Sequence, residues 1–270
     1  MTDVKTYLRE WAMPHVLCPG CAHGIVLRSF LEAVDQLQLD RNKVAMVAGI
    51  GCSSRLIGYV DFCTLHGTHG RAPAFATGLK LARPELNVIV VTGDGDGLAI
   101  GGNHLIHAAR RNIDMTVLML NNSIYGMTGG QVAPTTPEGA VASTAPQGNT
   151  EPDFDACKLL IGAGASYVAR VLAATPLEMT KVMVDAITHP GFSFIEIISD
   201  CPEYFGRYNK IGGGAAMLSW MAGRDEGVTI PLATKQFVKH TPSSSPPAGL
   251  TTGVLYREVR PVYAGVRGDQ

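Results

Sequence analysis

Two short motifs contain the residue types that bind phosphates and divalent metals. Gly93-Asp94-Gly95 follows one apolar run, and Asn121-Asn122 ends the next. Glycines at a turn before a helix let backbone N–H groups approach phosphate oxygens closely. The acidic Asp94 would repel a phosphate unless a divalent cation lay between them. Because Mg²⁺ prefers oxygen ligands, Asp94, Asn122 and the backbone carbonyl of Ile124 are predicted to hold a magnesium-bound diphosphate.

This motif has two alternative interpretations. A plain strand-to-helix turn followed by an asparagine loop would give the same residues without any ligand. A nicotinamide-binding turn is a poorer match, because Gly97 and Gly101-Gly102 do not complete the Gly-x-Gly-x-x-Gly fingerprint. The pairing of the glycine turn with the asparagine pair favours the diphosphate site.

The cysteines indicate a second site. Cys18-Pro19-Gly20-Cys21 has the spacing with which two thiolates bind one metal or one edge of a cluster. Cys52 and Cys201 each follow a predicted strand, so the carboxyl edge of a parallel sheet could bring them to this pair. Zinc and a 4Fe–4S cluster both accept four thiolates, and the spacing does not decide between them. Cys63 and Cys157 are predicted to be ordinary buried cysteines.

The elements that must position these motifs alternate along the chain. Continuous apolar runs at Val44–Ala48, 87–92, 115–120 and Phe192–Ile198 are typical of strands buried on both faces. Helix-like stretches fall at 22–38, Ala72–Ala82, 98–111, 154–163 and 177–188. This alternation predicts an α/β fold with a doubly wound, mostly parallel sheet. Such sheets bind ligands at the carboxyl ends of their strands, where both motifs fall.

Two segments are expected to lack regular structure, and the tail after them has two possible roles. Residues 134–152 are rich in Pro, Thr, Gly and Ala and exceed the usual loop length, which favours an active-site loop over a mobile surface loop. Residues 241–249 have the composition of a linker. The tail 250–270 is expected to form an arm that packs on a partner, or to be disordered.

The composition excludes several functions. With 46% hydrophobic and 17% charged residues the chain can bury a large core, and a net charge of −1 gives no sign of a nucleic-acid partner. Residues 1–14 carry charges without an apolar run, so a secretory signal is not expected. No apolar run approaches the ~20 residues of a membrane-spanning helix. We therefore expect a cytoplasmic protein that binds neither membrane nor nucleic acid.

Taken together, the motifs resemble a known family. The glycine turn and the asparagine pair have the spacing of the cofactor motif of thiamine-diphosphate enzymes. Over residues 12–210, ordered blocks are similar to the β subunits of 2-oxoacid:ferredoxin oxidoreductases. The blocks are Cys18-Pro19-Gly20-Cys21, Gly49-Ile50-Gly51-Cys52-Ser53-Ser54, His69-Gly70-Arg71, Gly93-Asp94-Gly95-Asp96, Asn103-His104 and the segment 121–131.

The resemblance implies a thiamine-diphosphate-binding α/β domain over residues 12–210. A C-terminal extension at 211–270 would pack on a partner or be partly disordered. The implied cofactors are thiamine diphosphate, Mg²⁺ and one 4Fe–4S cluster, with the cluster on Cys18, Cys21, Cys52 and Cys201. The residues expected to bind the thiamine cofactor are Ser53, His69, Gly70, Asp94, Gly95, Asp96, Asn122, Ile124, Tyr125, Gly126 and Thr128.

The resemblance also implies partners and a reaction. A separate α subunit would cover the aminopyrimidine ring and supply its activating glutamate, so this chain alone is expected to be inactive. The reaction would be the coenzyme A-dependent oxidative decarboxylation of a 2-oxoacid, with electrons passing singly through the cluster to ferredoxin.

The substrate is predicted from two further blocks. Met127-Thr128-Gly129 is similar to the 2-oxoglutarate and branched-chain 2-oxoacid types. The block that begins with Cys201-Pro202 is similar to the 2-oxoglutarate type, which forms succinyl-CoA and CO₂. Pyruvate and branched-chain 2-oxoacids are alternative substrates. A subunit of a non-oxidative thiamine-diphosphate enzyme and a zinc-stapled scaffold without catalysis are alternative functions.

Overall fold

The computed structural model describes residues 3–222, 238–239 and 250–265. Its α-helices are α1 (His23–Gln36), α2 (Ala72–Ala82), α3 (Gly102–Arg110), α4 (Ala156–Gly162), α5 (Pro176–Thr188) and α6 (Gly214–Met221). Its strands are β1 (Val44–Ala48), β2 (Cys63–His66), β3 (Asn87–Gly93), β4 (Met115–Asn121), β5 (Ile124–Tyr125), β6 (Gln131–Val132), β7 (Tyr167–Leu172), β8 (Phe192–Ile198), β9 (Val238–Lys239) and β10 (Thr251–Arg257). Within these residues, no helix is both long and apolar enough to cross a membrane.

The main sheet of the described residues has eight strands in the order β2-β1-β3-β4-β8-β7-β10-β9. Neighbouring strands from β2 to β7 are parallel. Strand β10 runs antiparallel to β7, and β5 and β6 form a separate antiparallel pair. The predicted doubly wound, mostly parallel sheet is therefore confirmed.

The strands are apolar on both sides because the sheet has a hydrophobic core on each face. In β3, Ile89 and Val91 belong to the core that contains α1 and α5, whereas Val88 and Val90 belong to the core that contains α2, α3 and α4. This alternation follows from the two-residue period of a strand. Full burial of such a side chain stabilises the fold by roughly 1.5–3 kcal/mol.

The strand order reverses between β1 and β3. From β1 the chain moves outward to β2, then crosses to β3 on the other side of β1 and continues to β4. Doubly wound sheets bind ligands in the crevice outside such a reversal. The turn 49–51 after β1 and the turn 93–95 at the end of β3 border this crevice. The topology thus brings both glycine turns to one place.

The four predicted strands are present with bounds that are identical or one residue longer. The other six strands, β2, β5, β6, β7, β9 and β10, have no counterpart in the sequence prediction. The predicted helix 98–111 begins later, because a π-helical turn at Gly95–Ile100 precedes α3. Such turns are rare and occur often at functional sites.

Part of the C-terminal tail returns to the sheet. Strand β10 pairs with β7, and Asn112 Nδ2 donates to the carbonyl oxygens of Arg260 and Pro261 at 3.2 and 3.0 Å. The prediction of a partner-packing or disordered tail did not include this strand. The boundary at residue 210 stays a prediction, and the predicted linker 241–249 and residues 266–270 lie outside the described residues.

Candidate functional site

A cavity of about 200 Å³ opens at the carboxyl ends of β1, β3 and β4, and we call it the cofactor cavity. Ten of the eleven residues predicted to bind the thiamine cofactor line it. They are Ser53, His69, Asp94, Gly95, Asp96, Asn122, Ile124, Tyr125, Gly126 and Thr128. The remaining one, Gly70, lies behind the wall, where its backbone N–H donates to Asp96 Oδ1 at 2.7 Å.

Three oxygen atoms face one another in this cavity. The side-chain oxygen of Asn122 lies 2.8 Å from the carbonyl oxygen of Ile124 and 3.3 Å from Asp94 Oδ1. Such oxygens repel unless a donor or a cation lies among them. Rotation of the amide would supply a donor, and a divalent cation would relieve the repulsion without any rotation. The predicted ligands therefore form an oxygen set that fits Mg²⁺.

The electrostatics of Asp94 also favour a bound cation. Its side chain is only 3% exposed, and burial raises its pKa to about 6, although a hydrogen bond from Thr135 works against that shift. Thr135 Oγ1 lies 2.5 Å from Asp94 Oδ2. A buried carboxylate is costly unless a positive charge compensates it, and a bound cation provides that charge.

Asp96 organises the floor of the cavity. Its Oδ1 accepts hydrogen bonds from the backbone N–H groups of Ile50 and Gly70, at 3.1 and 2.7 Å, and lies 2.7 Å from His69 Nδ1. Its Oδ2 accepts from Thr92 Oγ1 at 2.6 Å. The carboxylate therefore joins the turn after β1 and the loop before α2 to the end of β3. It also holds His69 with Nδ1–H toward Asp96, which leaves Nε2 as the ring nitrogen available to a ligand.

The close approach of a side chain to the backbone explains why Gly95, the second glycine of the turn, is a glycine. A Cβ at Gly95 would collide with the ring of Tyr125, whose hydroxyl donates to the Gly95 carbonyl oxygen at 3.2 Å. Only a glycine lets the Tyr125 ring lie this close to the turn. The ring in turn contacts that of His69 edge-on, with centroids 6.4 Å apart.

The four predicted cluster ligands line a second cavity of about 210 Å³, which we call the cysteine cavity. It shares His23, Cys52, Asn122 and Met127 with the cofactor cavity, so the two are adjacent. At their border a Cβ on Gly126 would lie 3.3 Å from Cys201 Sγ and 3.6 Å from Cys52 Sγ. The structure thus brings Cys18, Cys21, Cys52 and Cys201 together as predicted.

Three thiols of this cavity, those of Cys21, Cys52 and Cys201, are kept protonated by burial unless a metal binds. Burial raises the pKa of Cys21 to about 12 and that of Cys52 to about 11, and it also raises the pKa of Cys201. Neighbouring cysteines add to each of these shifts. Since thiolates are the metal-binding form, positive charge from the bound group must offset the burial.

The spacing of the sulfur atoms favours a cluster over a single zinc ion. Within the described residues, no three of the four sulfurs lie within 4.8 Å of one another. A tetrahedral zinc ion with Zn–S bonds of ≈ 2.3 Å would hold its sulfurs about 3.8 Å apart. An iron–sulfur cluster is larger than one ion and requires wider spacing, so the cysteine cavity fits it better.

The described residues contain one tighter group of ligand atoms, and an arginine occupies it. Asp155, Cys157 and Glu196 come within 4.8 Å of one another. Arg170 binds Asp155 Oδ1 at 2.7 Å and Glu196 Oε2 at 2.6 Å, which supplies the positive charge there. Cys157 is buried, as predicted, whereas the prediction for Cys63 was wrong, because it lies exposed on the edge strand β2.

Three residues of the site escaped the sequence analysis. Thr135 comes from the loop predicted at 134–152, where only tertiary structure reveals its contact with Asp94. His23 lies two residues after Cys21, which could have drawn attention to it, and it borders both cavities. Asp200 precedes Cys201, and its Oδ1 accepts from the N–H of Ala22 at 2.8 Å, joining the two halves of the cysteine cavity.

Comparisons with known proteins agree with this geometry. Residues 49–197 match the family model for the C-terminal TPP-binding domain of thiamine pyrophosphate enzymes. A 2-oxoacid:ferredoxin oxidoreductase subunit beta from Saccharolobus solfataricus is 38% identical over 78% of this chain and 68% of its own length. This chain belongs to the β subunits of the 2-oxoacid:ferredoxin oxidoreductases.

Other members of the β-subunit family are more similar. The 2-oxoglutarate synthase subunit KorB of Methanothermobacter marburgensis is 56% identical over 80% of this chain and 75% of its own length. Its counterpart in Archaeoglobus fulgidus is 58% identical over 75% of each chain. A solved 2-oxoglutarate:ferredoxin oxidoreductase from Magnetococcus marinus, with 2-oxoglutarate, coenzyme A and succinyl-CoA bound, superposes with a TM-score of 0.85 at 33% identity. That alignment covers 97% of this chain and 87% of the other.

Proposed function

We propose that this β subunit, together with an α subunit, converts 2-oxoglutarate and coenzyme A to succinyl-CoA and CO₂ and passes the electrons to ferredoxin. The observation that carries the proposal is the shared wall between the cofactor cavity and the cysteine cavity. Oxidative decarboxylation with a one-electron acceptor needs an electron sink and a one-electron relay in close proximity. Bound in these two cavities, thiamine diphosphate would supply the sink and a 4Fe–4S cluster would supply the relay.

Different residues of this chain would bind the metal ion, the diphosphate and the cluster. Asp94, Asn122 and the carbonyl of Ile124 would hold Mg²⁺ and, through it, the diphosphate. The π-helical turn at Gly95–Ile100 would present backbone N–H groups to the phosphate oxygens. His69, with Nδ1 fixed by Asp96, would direct Nε2 toward the same anion. Cys18, Cys21, Cys52 and Cys201 would hold the cluster.

The apolar rim of the cofactor cavity supports the need for a partner. Ile50 and Met127, which line the cavity, are 44% and 43% exposed, and Ile100, next to Gly70, is 48% exposed. Apolar side chains grouped around a binding site are typical of surfaces that another protein covers. The α subunit would complete the site there and exclude water from it. A cytoplasmic location stays a prediction from the sequence.

The similarity to 2-oxoglutarate synthase subunits supports 2-oxoglutarate as the substrate, and so do the ligands bound in the Magnetococcus marinus structure. To test the proposal, the α and β subunits should be co-purified without oxygen and assayed with ferredoxin or a viologen dye. We expect reduction that requires both 2-oxoglutarate and coenzyme A. Activity with pyruvate and none with 2-oxoglutarate would overturn the substrate but leave the reaction class.

Metal and cofactor content separates the alternative functions. We expect four iron atoms, sulfide and one thiamine diphosphate per β subunit of the complex. A complex with thiamine diphosphate but no iron would instead be a non-oxidative enzyme. Zinc without thiamine diphosphate would support the alternative of a zinc-stapled scaffold without catalysis.

A further inference from the structure

His23 is a buried histidine whose ring has no hydrogen-bond partner in the protein. It opens helix α1, two residues after Cys21, and is 2% exposed. Neither Nδ1 nor Nε2 finds a donor or acceptor among the described residues. An unsatisfied buried polar group costs about 1–3 kcal/mol, so native proteins rarely leave one without a ligand or an ordered water.

The ring always carries a hydrogen-bond donor, because an imidazole has at least one N–H group whether it is neutral or charged. Since neither ring nitrogen has a partner among the described residues, this N–H group is available to a bound ligand.

A backbone contact fixes the start of α1. The N–H of Ala22, the residue before His23, donates to Asp200 Oδ1 at 2.8 Å, which holds the first turn of the helix against the loop that carries Cys201. The ring then lies in the wall that separates the cysteine cavity from the cofactor cavity.

We infer that the imidazole N–H of His23 donates a hydrogen bond to a sulfur atom of the iron–sulfur cluster and so acts as a positioning residue. The inference rests on the proposed function, because it requires a cluster in the cysteine cavity. Cluster sulfurs carry negative charge and accept hydrogen bonds. Reduction makes them more negative, so a donor stabilises the reduced state and raises the reduction potential.

Pulsed EPR on the native complex tests the contact directly. The protein is labelled with ¹⁵N-histidine, and the reduced cluster is examined for a histidine nitrogen coupling. His23 is the histidine that lines the cysteine cavity within the described residues. We expect a coupling, and a loaded cluster without one would overturn the inference. Iron and sulfide are measured first, because their absence would reject the proposed cluster instead.

Variants then test the effect on the potential. His23→Leu removes the donor at similar volume, and we expect a tenfold weaker one-electron reduction, which equals 59 mV toward negative values. His23→Asn and His23→Gln restore a donor near Nδ1 and Nε2 respectively, and we expect one of them to recover the native potential. Every variant that keeps iron should lose the histidine coupling. An unchanged potential in iron-loaded His23→Leu contradicts the role.

His189→Leu is the matched control. His189 is also buried, at 3% exposure, but it precedes β8 at the amino ends of the strands, away from both cavities, and contacts Ser166 Oγ at 3.0 Å. We expect this variant to lose stability without any change in the cluster potential or in the nitrogen coupling. An equal potential shift in both leucine variants would mean that general loosening, not a hydrogen bond from His23, is responsible.

Discussion

Thr135 Oγ1 lies between Asp94 Oδ2, at 2.5 Å, and Asn121 Oδ1, at 2.9 Å. A hydroxyl has one proton, and the shorter distance assigns it to the carboxylate. Asn121 Nδ2 donates in turn to Glu196 Oε1 at 2.8 Å, and Glu196 is paired with the buried Arg170. A continuous polar chain therefore links the proposed metal ligand to an ion pair inside the sheet.

Thr135→Val should weaken magnesium and cofactor binding. Valine keeps the shape but removes the hydrogen bond that orients Asp94, and the loss of such a supporting contact typically costs ~10–100-fold in metal affinity. The measurement is a titration of cofactor-free complex with thiamine diphosphate at several Mg²⁺ concentrations. Thr135→Ser keeps the hydroxyl and should bind almost normally. Equal affinity of the valine and serine variants would show that the contact does not support the metal site.

Stability without cofactor should depend on the charge of Asp94. Burial raises its pKa to about 6 from an ordinary 3.8, so folding favours the protonated form. The stabilisation is present below pH 4 and is lost as the pH rises through 6, by about 3 kcal/mol. Asp200, with its pKa also raised to about 6 by burial, contributes in the same pH range.

Asp94→Asn removes one of these two charges. We expect the cofactor-free variant to melt at a higher temperature than the parent at pH 8 and at a similar temperature at pH 4. With Mg²⁺ and thiamine diphosphate the order at pH 8 should reverse, because only the parent gains binding energy. Thermal unfolding at both pH values, with and without cofactor, checks this. A difference that is independent of pH would contradict the assignment to Asp94.

Gly95→Ala should disrupt the diphosphate turn. The new methyl group would meet the ring of Tyr125, and overpacking of this kind costs about 1–3 kcal/mol. Displacement of the ring should also lower cofactor affinity, measured by the same titration. Gly24→Ala in α1 is the matched control, because a Cβ there has no neighbour within 4 Å. Similar losses in both variants would show that the ring contact is not the cause.

Cys201→Ser should abolish cluster assembly. Its sulfur lies against Gly126 at the border of the two cavities, and a hydroxyl is a much poorer ligand for iron than a thiolate. Iron and sulfide content, together with the visible absorbance, measures the loss. Cys63→Ser is the control, since this exposed cysteine lines neither cavity. Normal iron content in Cys201→Ser would remove Cys201 from the ligand set.

Apolar runs were sufficient to predict the central strands and their carboxyl ends. Strand β7 was missed because Arg170 interrupts its apolar run. The burial of this arginine is compensated by its ion pair with Glu196 on the neighbouring strand β8. The edge strand β2 is short and partly exposed, and β10 follows a segment of linker composition, so neither has a clear local pattern.

Residues of the candidate site were likewise predictable where a local sequence signal marks them. Glycine turns, the Asn121-Asn122 pair and cysteine spacing are local signals, and the structure brings those residues together. Thr135 and His23 act through contacts that depend on how distant loops pack, and nothing in their immediate sequence identifies those contacts. Asp96 was predicted as a cofactor ligand, yet four donors of the chain itself surround its carboxylate.

The backbone at Gly126 lies where the two cavities meet. A Cβ at this residue would lie 3.3 Å from Cys201 Sγ, 3.6 Å from Cys52 Sγ and 3.8 Å from Asn122 Nδ2, so the proposed cluster ligands and a proposed metal ligand share one short loop. A loop so short cannot shift for one occupant without disturbing the other. Oxidative loss of the cluster should therefore weaken the binding of thiamine diphosphate. Assembly of the enzyme should proceed most easily when both prosthetic groups are inserted together.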